Sequence, residues 1–358
     1  MLKKYIHLLQ SGRRQIVVKS KTFIRSIILL AMIALIMTFI KLPYYVTQPG
    51  MASELEPIIE VENGYKDEEG SFSLTTVRFG RANPITYLWA KLNDFYYIHP
   101  LEEIKREEES DEEYFKRQLH MMEASQEAAI SVAYEKANKP VEYSFHGIYV
   151  DGIVEGMPAA EILKVGDRIF KVDKKEFQTA EQFIDYVGQK KAGEEISITF
   201  ERDEEQKQGK IKLAAFKDDP TKVGIGISLV TDSKIDVEPD IKLDTEEIGG
   251  PSAGLMMSLE IYNQLTKGDL TKGYNIAGTG TINTEGEVGP IGGISQKIVA
   301  ADHAGMDIFF APNENNSPTS NYKEAIKAGE KINTDMKIIP IDTFDEALEY
   351  LMNIKEKG

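Results

Sequence analysis

"IGGPSAGLMM", residues Ile248–Met257, carries the chain through two glycines and a proline to Ser252, and an apolar helical run follows at once. Gly249 and Gly250 permit unusual backbone angles and the close approach of another chain. Pro251 suits a first helical turn. A serine placed there sits near unpaired N–H groups and the positive end of a helix dipole. This stretch alone allows two readings. The hydroxyl caps the helix, or it is a nucleophile whose attacked carbonyl is stabilised by the helix-start N–H groups, with Gly250 and Pro251 shaping the approach.

A lysine 45 residues downstream bears on the choice. In "GGISQKIVAADHAGM" the i+3, i+4 and i+7 neighbours of Lys297 are Ala300, Ala301 and Ala304, with Ile294 at i−3. A lysine on a small apolar stripe either snorkels or is buried for a reason. Burial lowers an ammonium pKa from about 10.4 toward 7–8, which makes a usable general base. His303 lies six positions on, about 240° round the helix, so it belongs to another face.

The surrounding stretch, Gly224–Tyr350, alternates strand-like "GIGISLV", "YNIAGTGTI", "DIFFAP" and "KIIPI" with helix-like "SAGLMMSLEIYNQL", "SQKIVAADHAG", "SNYKEAIKAG" and "FDEALEYLM". That pattern reads as α/β. Upstream, Asn63–Gly70 reads as a turn before the strand "SFSLTTVRF". "LEEIKREEESDEEYF" reads as a solvated helix face or loop, and Met121–Ala137 as a helix.

"GGPSAG", "IAGTGTINTEGEVGPIGGISQK" and their spacing resemble the Lon-type proteolytic domain. The helix at Met121–Ala137 resembles one near the start of that domain. The resemblance implies that Ser252 is the nucleophile and Lys297 its base. It places Thr279 near the lysine, where it either holds the neutral amine or merely belongs to a strand. Gly249 departs from the aspartate that many energy-dependent relatives carry three residues before the serine.

Val141–Phe216 reads as a compact unit of strands and short helices, about the size of a small domain. "GIYVDGIVEGMPAAEILKVGDRIFKVDKKEF" resembles a PDZ domain through Pro158, Ala159, Leu163, Gly166, Asp167, Ile169 and Val172. The resemblance implies that Gly147, Ile148, Tyr149 and Val150 form the carboxylate-binding loop and strand to which a peptide adds. The alternative is a spacer or gate.

Charge is distributed unevenly. Residues 1–50 hold eight of the 42 basic residues and none of the 58 acidic ones, so the remainder carries −24. That acidic exterior argues against nucleic-acid binding. "SIILLAMIALIMTFI" (Ser26–Ile40) has no charge, Lys41 can snorkel, and "LPYYV" (Leu42–Val46) extends the apolar stretch with two interfacial tyrosines. Phe23–Val46 is long enough for a bilayer core, with the basic end inside and the rest outside. A cleaved signal peptide is the alternative, but no small-x-small cleavage site follows and the basic region is long. The chain has no cysteine, HExxH or P-loop, so no metal, cofactor or nucleotide is expected.

The expected organisation is a cytoplasmic basic tail (1–22), a transmembrane anchor (23–46), the first part of the protease domain (47–139), an inserted PDZ domain (140–217) and the Lon-type proteolytic domain (218–358). With its anchor, the chain resembles the membrane-anchored PDZ–Lon proteases of Gram-positive bacteria. That resemblance implies an ATP-independent serine endopeptidase of the cell membrane acting on secreted or surface peptides, signalling peptides among them, with a homo-oligomeric ring as one assembly. The rival is an exterior scaffold on an inactive protease fold. A trypsin-like protease is discarded, because no GDSGG-like segment appears.

Overall fold

The structure, a computed structural model, describes residues 23–66, 69–106, 109–177, 179–217, 219–245 and 248–357. The expected cytoplasmic tail, 1–22, lies outside the described residues. From the N-terminus come helix α1 (residues 23–39), strands β1 (Tyr44–Glu54), β2 (Ile59–Val61) and β3 (Ser71–Arg81), helix α2 (Pro84–Ala90), strand β4 (Tyr97–Pro100), the single turn α3 (Leu101–Ile104) and the long helix α4 (Asp111–Lys136). The middle holds β5 (Val141–Ile153), a 3-10 turn at Pro158–Glu161, β6 (Arg168–Val172), β7 (Lys175–Glu176), α5 (Ala180–Gly188), β8 (Glu195–Arg202), β9 (Glu205–Lys212), β10 (Ala214–Ala215), β11 (Val223–Gly224) and β12 (Ile227–Val237). The last third holds β13 (Ile241–Leu243), α6 (Gly254–Leu265), β14 (Asn275–Gly278), β15 (Thr281–Ile282), β16 (Val288–Gly289), α7 (Ile294–His303), β17 (Ile308–Pro312), α8 (Asn321–Ile332), β18 (Lys337–Ile341) and α9 (Phe344–Asn353).

The chain divides into two compact units. The first contains the described residues of Met1–Pro49 and Val77–Glu107. In it Tyr44–Thr47 of β1 pair antiparallel with Tyr97–Pro100 of β4. Val46, Ala82 and Ala90 form a small core, with Leu42, Tyr44, Tyr96 and Ile98 packed against it. This corrects the reading of "LPYYV" as an extension of the membrane stretch. The helix stops at residue 39, and Tyr44 and Tyr45 begin a strand, with Tyr45 and Val46 buried in protein. Pro43 offers no N–H to continue a helix. Among the described residues no helix is long and apolar enough to cross a membrane.

The second unit, Gly50–Thr76 and Glu108–Gly358, holds two sheets of interest. One runs β18-β17-β14-β3-β1. Its β3-β14, β14-β17 and β17-β18 pairs are parallel. Its core joins Phe72, Leu74, Ile276, Ile308 and Phe310 of the strands to Met122, Ala129, Val132 and Ala133 of α4 and to Leu255, Met256, Met257 and Leu259 of α6. α6 is buried on nearly every side, its apolar residues in the core and its polar Ser258, Glu260, Asn263 and Gln264 buried as well. α4 begins at Asp111, ten residues earlier than the apolar spacing predicts. Ser110 and Glu113 form a reciprocal capping box that fixes its start, so the acidic "DEEYF" is helical.

The other sheet is antiparallel in the order β12-β5-β6-β8-β9, with β7 on β6. Ile148, Val150, Leu163, Ile169, Val172, Phe183, Ile196 and Phe200 form its own core. The "VGD" turn is held by chemistry. Asp167 is buried, accepts the Lys164 N–H at 2.8 Å, and takes a two-pronged ion pair from Arg202 at 2.7 Å on each oxygen. β12 pairs along its length with β5, so residues 227–237 complete this sheet.

Candidate active site

The loop that carries Ser252 is gripped from two sides. From α4, the Gln118 carbonyl accepts the Gly250 N–H at 3.0 Å and the Ser125 hydroxyl donates to the Pro251 carbonyl at 2.9 Å. From the strand side, the Ser252 carbonyl accepts the Gly280 N–H and the Thr279 hydroxyl, each at 2.9 Å. Gly250 has φ +89°, a conformation that disfavours a side chain. Pro251 sits in the turn before α6, three residues short of its first helical residue, not in the first helical turn. The cap position of α6 is Ala253, with no side-chain cap hydrogen bond. The Ser252 hydroxyl is therefore not spent as a cap.

It faces Lys297 instead. Lys297 lies in the first turns of α7, where residues 294–301 are all buried. It is 2% exposed, which excludes the snorkelling alternative. Its Nζ lies 2.9 Å from Ser252 Oγ, 3.0 Å from Thr279 Oγ1 and 2.7 Å from the Thr75 carbonyl oxygen. Burial lowers its pKa to about 7. Thr279 follows β14 directly and is wholly buried. Thr75 lies in the neighbouring β3, and its hydroxyl donates to the Gly278 carbonyl at 3.1 Å, locking the two strands at the site. His303 is exposed at the far end of α7 and has no place here.

A proton inventory shows what the arrangement can do. A neutral amine has two N–H donors and one lone pair. The Thr279 hydroxyl gives its proton to the Ser252 carbonyl, so its oxygen is free to accept from Lys297. The Thr75 carbonyl can only accept. Those two acceptors use both N–H bonds of the neutral amine and aim its lone pair at Ser252 O–H. An ammonium has three donors and no lone pair, and would occupy all three oxygens. The geometry accommodates both forms, but only the neutral one can take the serine proton.

The Thr75 carbonyl, Gln118 and Ser125 were not legible as site groups. A backbone carbonyl carries no residue signature, and Gln118 and Ser125 reach the loop from a helix distant in sequence. The four residues expected to bind a PDZ ligand lie elsewhere and require a correction. Ile148, Tyr149 and Val150 are in β5, buried, and paired on both sides. Ile148 and Tyr149 pair with β6, and all three pair with Leu229–Thr231 of β12. With both edges occupied, Ile148, Tyr149 and Val150 have no free strand edge to offer an added strand, and Gly147 is paired with Asp232 of β12. The edge strand of that sheet is β12.

Close packing beneath the loop gives a direct prediction. A Cβ at Gly254 would sit 2.8 Å from both Ile282 Cγ2 and Ser125 Oγ. Gly254→Ala is therefore expected to destabilise the protein by about 1–3 kcal/mol and push the serine turn off the lysine. Thermal melting and peptidase assays would both register it. An unchanged melt would show that the space is not tight.

Residues 210–354 match the family model of the Lon protease (S16) C-terminal proteolytic domain, and residues 112–213 match that of the PDZ domain. Among curated proteins, the chain is 34% identical over 108 residues to the Lon protease of Metamycoplasma arthritidis and 36% identical over 107 residues to that of Campylobacter concisus. Each match covers 30% of this chain and 12% of the relative, so the chain spans about an eighth of those proteins. Among solved structures, the PDZ domain of an SdrC-like protein from Listeria monocytogenes is 36% identical, with 24% of this chain and 90% of that chain covered and a TM-score of 0.23. The chain thus joins, in a mixed α/β fold, a segment similar to the Lon proteolytic domain and a segment similar to the PDZ domain.

Proposed function

We propose that the protein is a serine endopeptidase working through a Ser252–Lys297 dyad, without nucleotide, on flexible peptides outside the membrane to which it is anchored. The buried amine 2.9 Å from the serine hydroxyl carries this reading. Neutral Lys297 accepts the Ser252 proton as Oγ attacks a peptide carbonyl. Thr279 and the Thr75 carbonyl orient the amine. N–H groups at the start of α6 stabilise the oxyanion. The lysine then protonates the leaving amine, and water, deprotonated by the same lysine, hydrolyses the acyl-enzyme on Ser252.

The PDZ domain supplies peptide capture. A strand added to the outer edge of β12 would run beside α5, whose Ala180 N–H bonds Thr231 of β12 at 2.9 Å. Val230 and Ile184 offer exposed apolar contacts on the two elements. Capture there delivers or gates substrate, a secreted signalling peptide being one candidate.

The charge asymmetry and the fully exposed apolar α1 support the anchor.

The test is incubation of the full chain in detergent with an unstructured polypeptide and no nucleotide, read by mass spectrometry. Cleavage by wild type and none by Ser252→Ala is expected. Equal products from both proteins would refute the dyad. Cleavage only with nucleotide would refute the energy-independent part.

A further inference from the structure

In the first unit, helix α2 is turned inside out. Its only buried residue is Ala90, while Ile85, Leu88 and Trp89 are exposed by 40%, 62% and 56%. Leu92, in the following turn, is exposed by 82%. These four positions are i, i+3, i+4 and i+7, one continuous stripe along a helix. An ordinary surface helix points such a stripe at its core. Here Tyr87 and Ala90 face inward and the stripe faces out.

We propose that this stripe is a membrane foot: α2 lies in the plane of the bilayer surface, beside the point where the anchor emerges, with Ile85, Leu88, Trp89 and Leu92 in the lipid interface. The proposal rests on the anchor reading. Its argument is continuity with α1. The Leu42 N–H, three residues past the end of α1, bonds the Ala82 carbonyl at 2.8 Å, and the Arg81 guanidinium bonds the Leu42 carbonyl at 3.1 Å. Asn83, the next residue, caps α2 with its side chain on the Ile85 and Thr86 N–H groups at 2.9 Å. Tyr44, just past the exit, packs on Tyr87 at 5.2 Å between ring centroids. The exposed stripe therefore begins within a few residues' breadth of the exit of α1, which is itself exposed and, apart from Arg25, Ser26 and Thr38, apolar. The exit of α1 and the start of α2 are thus tied together by hydrogen bonds and a ring contact.

Lipid is the occupant that suits this chemistry. Arg81 and Lys91 border the stripe, at the level where lipid phosphates would lie. A tryptophan among leucines beside basic residues is the composition of interfacial helices.

Trp89 is the sole tryptophan of the chain, so its fluorescence reports on the foot alone. The full chain would be reconstituted into phosphatidylcholine–phosphatidylglycerol vesicles, with and without brominated acyl chains, and floated on a density gradient. Expected are co-flotation, at least twofold quenching of Trp89 by the brominated lipid, and little quenching by aqueous acrylamide. Leu88→Glu/Leu92→Glu should still float but lose the lipid quenching and gain acrylamide quenching. Co-flotation with wild-type Trp89 open to acrylamide overturns the foot and leaves the anchor standing. Co-flotation with Trp89 shielded from both quenchers also overturns it, and assigns the stripe to a protein neighbour. Failure to float overturns the anchor, and the foot with it.

Discussion

Lys297→Ala is expected to lower peptide hydrolysis by about 10⁴-fold or more, Ser252→Ala by a similar factor, and the double substitution by no more than either alone. Groups that act in one proton transfer do not contribute separately, because without the base the hydroxyl is an ordinary alcohol. Lys297→Arg is expected to be as inactive as Lys297→Ala, although it keeps charge and length, because a guanidinium does not give up its proton at any working pH. Thr279→Val keeps the base but removes one of the two acceptors that hold it. The stranded N–H can then turn toward Ser252, and a loss of about 10- to 100-fold is expected. Initial rates on one cleavable peptide settle all of these, with near-ultraviolet circular dichroism to show that each variant is folded. Multiplicative losses in the double variant, or activity in Lys297→Arg, would mean that another group removes the proton.

The contact between Ser252 and Lys297 was legible because both carry side chains out of place for their surroundings, a hydroxyl after two glycines and an amine on an alanine stripe. What holds the amine was half legible. Thr279 could be named, whereas the Thr75 carbonyl could not, since any residue at position 75 would present one. The start of α4 was written in the sequence as Ser110 and Glu113, yet the acidic run between hydrophobic stretches reads as solvated connector unless the reciprocal cap is noticed. Alternation marks Ile148 and Val150 as strand residues. Which strands lie beside them is a matter of tertiary pairing, and β12, the neighbour that closes one edge, comes from more than 70 residues downstream. The same limit applies to Tyr44 and Tyr45. An apolar pair after an apolar helix reads as more helix, and only the partner strand β4 shows otherwise.

The cost of keeping Lys297 neutral should be visible in both rate and stability. With its pKa lowered to about 7 by burial, kcat/KM is expected to fall about tenfold per pH unit below pH 7 and to level off above pH 8. Stability must follow the opposite logic to an ion pair. Between pH 7 and about 10.4 the unfolded chain holds the lysine proton and the folded chain does not, so stability rises with pH across that window. At pH 7 the folded state is disfavoured by about 4 kcal/mol relative to pH above 10 on account of this one group. Lys297→Met removes that penalty but strands the Thr75 carbonyl, at a cost of about 1–3 kcal/mol. The inactive variant is therefore expected to be more stable than wild type by about 1–3 kcal/mol at pH 7, with the advantage gone by pH 10, in urea unfolding followed by circular dichroism. A variant that is less stable than wild type at every pH would mean that the amine is charged in the folded protein, and the serine would then have no base.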